Sequence, residues 1–229
     1  MPRLLLIETS TSLCSTALAE DGRIVCSHRS TEPRAHASLT AVFVKEMLEE
    51  SGWTVRELDA VAVSAGPGSY TGLRVGSSTA KGLCFGGQVP LIAVSTLDIL
   101  ARQAIEAGLP EGCKAILPMV DARRMEVYTA VYSPEGARLT DISPVILDEN
   151  SFADLFASGP VAVIGDAAEK FAPLRATADG SVFMQCCPEA SAMLVPAMRK
   201  YEKKEFEDTA YFEPFYLKQF IATTPKKLF

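Results

Sequence analysis

Histidine is scarce in this chain of 229 residues, which contains only two, His28 and His36. His28 falls in a predicted strand and His36 at the start of a predicted helix, and no carboxylate cluster joins them. The pair is therefore not expected to form a metal site, which normally needs three or four clustered ligands. Neither histidine can be placed in a Ser-His-Asp set. A surface or capping role is the simpler expectation for each.

The cysteines also lack a functional spacing. The chain has six, none in a C-x-x-C pair or a zinc pattern, so they are expected to be small buried hydrophobic residues. No apolar run approaches the roughly 20 residues of a membrane span. The apolar run Leu4–Ile7 meets Glu8 too early for a signal peptide. The sequence thus predicts a cytoplasmic protein without membrane contact.

Positive charge is in deficit. The chain carries 22 Lys and Arg against 28 Asp and Glu, a net charge of −6. No cluster of basic residues precedes the short Lys226-Lys227 tail, whereas binding to a phosphate backbone relies on such clusters. A role in an RNA pathway is therefore expected to be indirect, through a partner protein.

Strand and helix signals indicate a mixed α/β chain. Gly52 is expected to end the first helix in the left-handed conformation. The predicted strands of the first part are Leu4–Thr9, Ser15–Ala19, Arg23–Ser27, Asp59–Ser64 and Leu91–Val94, and the predicted helices are Ala35–Ser51, Gly72–Gly86 and Thr96–Ala107.

The pattern restarts at Ala115–Asp121, an apolar strand that ends in a carboxylate. A shift of 113 positions places Asp121 on Glu8 and Ala130 on Ala17. This similarity indicates an internal duplication with its joint near Gly108–Gly112, giving domains 1–108 and 109–229; two unrelated hairpins are the alternative. The remaining predicted elements are strand Glu126–Tyr132, helix Ser151–Ala157 with Ser151 as N-cap, strand Val161–Gly165, helix Pro188–Phe206, extended segment Pro214–Leu217 and a loose tail Thr223–Lys227.

A glycine-rich loop joins the fourth strand to the second helix, and its residues are Gly66, Pro67, Gly68, Ser69, Tyr70, Thr71 and Gly72. Backbone N–H groups at a helix N-terminus can bind an anion. The spacing nevertheless matches neither a Walker A motif nor a dinucleotide fingerprint. A tight turn that lets the helix approach the sheet is the favoured interpretation.

The first two helices suggest a surface for a partner protein. The apolar arc of helix 35–51 covers roughly 200°, whereas a single core face needs about 100°. Small residues recur at Gly72, Gly76 and Ala80, as at close helix–helix contacts, so Gly76→Leu is expected to block association with little effect on folding. The candidate interface residues are Leu39, Thr40, Phe43, Met47, Leu73, Gly76, Ser77, Ala80 and Cys84.

Four carboxylates, Glu8, Asp98, Asp121 and Asp166, lie at or just beyond strand ends. Folds of this class place functional groups there. Carboxylates at strand ends also cap turns, and the sequence leaves both roles open.

Four segments together resemble the TsaB family, the dimerisation subunit of the bacterial tRNA threonylcarbamoyladenosine system. They are Leu5–Thr11, Ser64–Gly76, Val120–Tyr128 and Pro214–Lys218. The resemblance implies an actin/Hsp70/sugar-kinase-like (ASKHA) fold with two ribonuclease-H-like lobes. It also implies a homodimer when alone, a TsaD-like catalytic partner, a TsaE-like ATPase partner, and contact with tRNA only through them.

The resemblance also implies that this sequence lacks the metal ligands and phosphate-loop glycines of its catalytic relatives. The TsaD metal ligands His-x-x-x-His correspond here to Thr96 and Leu100, which are poor ligands. The first phosphate loop, Glu8–Thr11, has no glycine, and Arg123 stands in the second where glycine is usual. The resemblance therefore implies no catalytic, cofactor or metal residue in this chain, with ATP and metal on the partner subunits. A degenerate sugar-kinase-like ATPase and a glycoprotease-like peptidase are the alternatives.

Overall fold

Two five-stranded sheets, each flanked by helices, make up the computed structural model, which describes residues 1–175 and 180–217. The strands are β1 Arg3–Glu8, β2 Cys14–Glu20, β3 Arg23–Ser30, β4 Ala60–Gly66, β5 Leu91–Ser95, β6 Ala115–Asp121, β7 Glu126–Thr129, β8 Ser143–Ile146, β9 Val161–Gly165 and β10 Val182–Gln185. The α-helices are α1 His36–Ser51, α2 Tyr70–Gly87, α3 Thr96–Ala107, α4 Ala153–Ala157, α5 Ala168–Phe171 and α6 Leu194–Glu202.

The two sheets have the same topology, as the predicted duplication requires. Their strand orders are β3-β2-β1-β4-β5 and β8-β7-β6-β9-β10. In each, three antiparallel strands are followed by two parallel ones. Glu8 pairs with Ser15, whereas Asp121 pairs with Val127. The connection is thus one residue shorter in the second unit, and the shift of 113 no longer applies beyond the first strand.

The last helix of each unit packs against the other unit. Leu97 and Leu100 of α3 lie in a buried cluster with Ile116 and Val120 of β6. In return, Met193 and the α6 residues that follow it cover Leu4 and Leu6 of the first sheet. Residues of the C-terminal segment thus contribute to the core of the first lobe.

Some predicted elements differ from the structure. Ser151 does not cap α4; its hydroxyl donates to Asp148 over 2.9 Å, and Phe152 precedes the helix at a φ of 60°. The predicted helix 188–206 is divided into a 3₁₀ turn, Ala190–Met193, and α6. The short elements α5 and β10 were not predicted. Gly52 ends α1 at a φ of 68°, as expected.

The segment 214–217 has no regular secondary structure, and the predicted tail Thr223–Lys227 and Lys218 lie outside the described residues. In the part of the chain that is described, no helix has the length and hydrophobicity to cross a membrane.

Candidate partner surface and glycine-rich loop

Two backbone donors of the glycine-rich loop, and one at the start of the helix that follows it, are engaged within the chain. The N–H of Ser69 donates to the carbonyl of Ser10 over 2.6 Å, and the N–H of Leu73 donates to the carbonyl of Ser69 over 2.9 Å. The Ser69 hydroxyl caps α2 by accepting from the N–H of Gly72 over 3.3 Å. These donors are therefore engaged in capping and loop packing.

The same glycines allow α2 to lie directly against the segment that follows β1. A Cβ at Gly68 would lie 2.3 Å from the carbonyl oxygen of Ser10, and one at Gly72 would lie 2.1 Å from that of Thr9. A Cβ at Gly76 would lie 2.3 Å from the Thr9 hydroxyl oxygen. Real Cβ atoms do not approach so closely, so these glycines bring the helix onto its own sheet.

This packing corrects the predicted interface. Most of its residues lie inside the chain because α1 and α2 turn them toward the first sheet. The buried members are Thr40, Met47, Leu73, Gly76, Ser77, Ala80 and Cys84. Leu39 and Phe43 are half-buried, and the Phe43 ring lies 5.4 Å from the ring of His28 on the β3 side of α1. The small residues Gly72, Gly76 and Ala80 thus allow α2 to pack closely against the sheet of its own lobe.

A different face of the two helices is exposed. It contains a shallow groove of about 400 Å³ lined by Ala37, Tyr70, Thr71, Arg74, Val75, Ser78 and Thr79. A Cβ at Gly82 or Gly86 would meet nothing within 4 Å, so the fold gives no reason for glycine there. Phe85 is 85% exposed and Val42 44% exposed. We call the groove together with Val42, Gly82, Phe85 and Gly86 the α1–α2 surface.

Residues 215 and 216 lie beside this surface. The N–H of Phe215 donates to the carbonyl of Ala65 over 2.7 Å. The Tyr216 ring packs 4.9 Å from that of Tyr70, over which the Arg74 guanidinium lies at 5.5 Å. Residues 215 and 216 therefore contact the end of β4 and the start of α2.

Glu8 is completely buried at the carboxyl edge of the first sheet. Its Oε1 accepts from the N–H of Ser10 over 2.5 Å, while its Oε2 has no partner among the described residues. Burial is the main cause that raises the pKa of Glu8 from 4.5 to about 7. The hydroxyls of Ser10, Thr11 and Thr96 are likewise buried without a partner in the described chain.

The equivalent carboxylate of the second unit, Asp121, forms an ion pair with Lys170. The ammonium of Lys170 contacts Asp121 Oδ1 and donates to the carbonyl of Glu126 over 3.2 Å. Asp166 accepts from the N–H of Asp121 over 2.8 Å, and burial raises the pKa of Asp166. The lysine thus supplies the positive charge at this strand end, and no sequence pattern had singled it out.

The residues aligned with the lost metal ligands are part of the interior. Thr96 and Leu100 are fully buried, and a Cβ at Gly165 would lie 3.2 Å from Leu100 Cδ1. Asp98 accepts from the hydroxyl of Tyr132 over 2.6 Å. Within residues 1–175 and 180–217, no three His, Cys, Asp or Glu side chains are grouped closely enough to hold a metal ion.

Both histidines have structural contacts. The ring of His28 lies 3.3 Å from a carboxylate oxygen of Glu46 and 3.6 Å from one of Glu50. His36 Nε2 lies 3.0 Å from the carbonyl oxygen of Thr11. Both histidines thus contact other segments of the first lobe, and His36 does not cap α1.

Comparisons with known proteins agree with the fold. Residues 29–179 match the family model described as TsaD, tRNA N6-adenosine threonylcarbamoyltransferase. YeaZ from Pseudomonas aeruginosa superposes with a TM-score of 0.78 at 27% identity, covering 95% of this chain and all of that one. The activator of 2-hydroxyisocaproyl-CoA dehydratase from Clostridium difficile, 9% identical with a TM-score of 0.51, shares the fold alone. The architecture is the two-lobed ASKHA fold.

Comparison with curated relatives identifies the family within this fold. The chain is 31% identical to the tRNA threonylcarbamoyladenosine biosynthesis protein TsaB of Escherichia coli, with 96% of both chains covered. It is 38% identical to TsaB of Haemophilus influenzae over 59% of this chain and 56% of that one. With a sequence match along nearly its full length and the fold of YeaZ, the chain belongs to the TsaB (YeaZ) family of tRNA threonylcarbamoyladenosine biosynthesis proteins.

Proposed function

We propose that this chain is a non-catalytic dimerisation subunit in the threonylcarbamoylation of tRNA adenosine, working in the cytoplasm. Its α1–α2 surface would bind a TsaD-like catalytic subunit, or a second copy of this chain when that subunit is absent. A TsaE-like ATPase would join the complex. Metal and ATP would be held by the partners, and tRNA would be bound through them.

The observation that carries this proposal is the pair of unexplained features on α2. An interior helix glycine costs roughly 1 kcal/mol relative to alanine, and the packing of this chain offers no compensation at Gly82, while Gly86 in the last turn of α2 has equally open space around it. Phe85 places a large aromatic ring in solvent next to them. A second helix that packs into this small-residue groove would account for the glycines and for the exposed ring.

The internal contacts of the lobes support a non-catalytic role. The glycine-rich loop donates to Ser10 and to its own cap, and Asp121 is held by Lys170. Leu100, at a position aligned with a metal ligand, packs in the core. Several groups that the ATPase alternative would need therefore have structural contacts, as do both histidines that a peptidase would draw on.

The test compares Gly82→Leu with Gly82→Ala. Both variants gain helix propensity and have open space around the new side chain, so both are expected to fold. Only leucine places a large side chain on the α1–α2 surface, where it would obstruct a partner helix. Pull-down of a TsaD-type subunit should fall at least tenfold for Gly82→Leu and stay near the parent level for Gly82→Ala. Light scattering should show the same pattern for self-association.

Phe85→Ala should weaken both associations, whereas Ile146→Ala, a matched truncation of an exposed residue on the second lobe, should not. Undiminished binding by a folded Gly82→Leu variant would refute the interface. Tight binding of ATP with magnesium-dependent turnover by the chain alone would refute the non-catalytic role.

A further inference from the structure

A second concave site lies on the opposite side of the first sheet from the α1–α2 surface. It has a volume of about 220 Å³ and is enclosed by α3, by the connection between β7 and β8, and by α6 with the residues that follow it. Part of its wall is apolar, formed by Ile105, Val195 and Pro196. A Cβ at Gly136 would lie 3.0 Å from Ile105 Cδ1, which shows how closely the connection approaches α3.

Positive charge is concentrated in this pocket. Five of the chain's 22 basic residues line it: Arg102, Arg138, Arg199, Lys200 and Lys203. The lining also contains three carboxylates, Asp98, Glu135 and Glu205. Asp98 accepts from Tyr132, and hydrogen bonding to Ser133 lowers the pKa of Glu135. The pocket is therefore electropositive on a protein whose net charge is −6.

Most of these cations form no ion pair with a described residue. Arg102 is the exception, since it donates to Glu106 over 2.7 Å. Within residues 1–175 and 180–217, no ion pair involves the other four, Arg138, Arg199, Lys200 or Lys203. Arg199 and Lys200 lie in the last turn of α6, where the helix dipole favours them. That explanation does not extend to Arg138, which comes from a different element and lines the same pocket.

We propose that this pocket binds the di- or triphosphate group of a small molecule. Several converging Arg and Lys side chains are the usual recognition elements for phosphate oxygens. The volume corresponds to about seven water molecules at about 30 Å³ each, enough for a short phosphate chain but less than the roughly 300 Å³ at which drug-sized pockets begin. The apolar wall would contact an uncharged part of the ligand. The site lies away from the α1–α2 surface and is independent of the proposed function.

The test is isothermal titration of the full chain with sodium tripolyphosphate, pyrophosphate and ATP at low ionic strength. The first two probe the phosphate chain alone, and ATP tests a nucleoside carrier. One molecule should bind per chain, and the affinity should decrease with added salt. Arg138→Gln combined with Lys203→Gln should weaken binding by about a hundredfold, at roughly tenfold for each charge-assisted hydrogen bond removed.

The matched control is Arg23→Gln combined with Arg56→Gln, which removes the same charge from exposed positions outside the pocket. Its affinity should stay within about twofold of the parent. Equal weakening by both double variants would show diffuse attraction and overturn the proposal, as would absence of binding at millimolar concentration. Binding of tRNA through Arg138 and Lys203 without binding of tripolyphosphate would overturn it in favour of an RNA contact. If the Gly82→Leu variant kept its partner, the proposed interface would be wrong, but the result of the phosphate titration would still stand.

Discussion

The α-carbon of Gly76 lies so close to Thr9 that a β-carbon there would be 2.3 Å from the threonine hydroxyl oxygen. The Thr9 hydroxyl in turn donates to the carbonyl of Gly72 over 2.8 Å. This contact fixes α2 on the first sheet. It also reverses the expectation that enlarging residue 76 would spare the fold.

Gly76→Ala is expected to lower the free energy of unfolding by about 1–3 kcal/mol, because the added methyl group overpacks a buried contact. Gly82→Ala, in the same helix but with open space around it, should instead raise it by about 0.5–1 kcal/mol. Urea unfolding followed by circular dichroism measures both. Equal effects of the two substitutions would contradict the packing of α2.

Glu8→Gln should change how stability depends on pH. The folded-state pKa of about 7 lies above the ordinary 4.5, so between these values the folded chain holds a proton that the unfolded chain has released, and stability falls as the pH rises. The glutamine variant does not undergo this decrease. It should be more stable than the parent by about 1–3 kcal/mol at pH 8 and differ little near pH 4.5.

Unfolding curves at several pH values test this expectation, with the exposed Glu32→Gln as control. A difference between Glu8→Gln and the parent that stays constant from pH 4.5 to pH 8 would show that Glu8 keeps an ordinary pKa.

Met193→Ala should destabilise the first lobe although it lies in the C-terminal part of the chain. Met193 is fully buried against Leu4 and Leu6, and truncating a buried methionine costs about 2–5 kcal/mol. Met125→Ala, at an exposed methionine, should change stability by less than about 0.5 kcal/mol. Hydrogen exchange should accelerate in β1 for Met193→Ala; protection there equal to the parent's would contradict the packing.

The purified chain is expected to retain no stoichiometric zinc or iron after a chelator wash. Thr96 and Leu100 offer no imidazole, and both are buried in the core. Metal analysis by mass spectrometry measures this, with a TsaD-type subunit treated in parallel as the positive control. About one equivalent of metal on this chain would mean that a ligand set exists elsewhere.

The sequence predicted the positions of the helices and strands better than it predicted what each of them packs against. Hydrophobic runs and turn residues located β1 to β6 and α1 to α3 within a few residues, because these signals are local. The repeat was visible because both units begin with an apolar strand that ends in a carboxylate, Glu8 or Asp121.

The orientation of α2 could not be predicted from its glycines. Gly76 and Gly82 are the same residue type in one helix, yet one meets Thr9 and the other meets solvent. Only the position of the sheet distinguishes them. The basic pocket could not be predicted for a related reason: Arg102, Arg138 and Lys203 come from three separate segments, and no sequence window contains them together.

The last helix of each lobe packs against the other lobe, and this arrangement affects when the first lobe can complete its fold during synthesis. β5 ends at Ser95, whereas the C-terminal part of the cover on one face of that sheet begins near Ala190, 95 residues later. At about 5–20 residues per second, the ribosome takes roughly 5–20 s to make this stretch. During that interval the nascent first lobe exposes Leu4, Leu6 and Ile92, a surface that a chaperone of unfolded chains would bind. The first half of this chain, although synthesised first, completes its fold only when the second half has emerged.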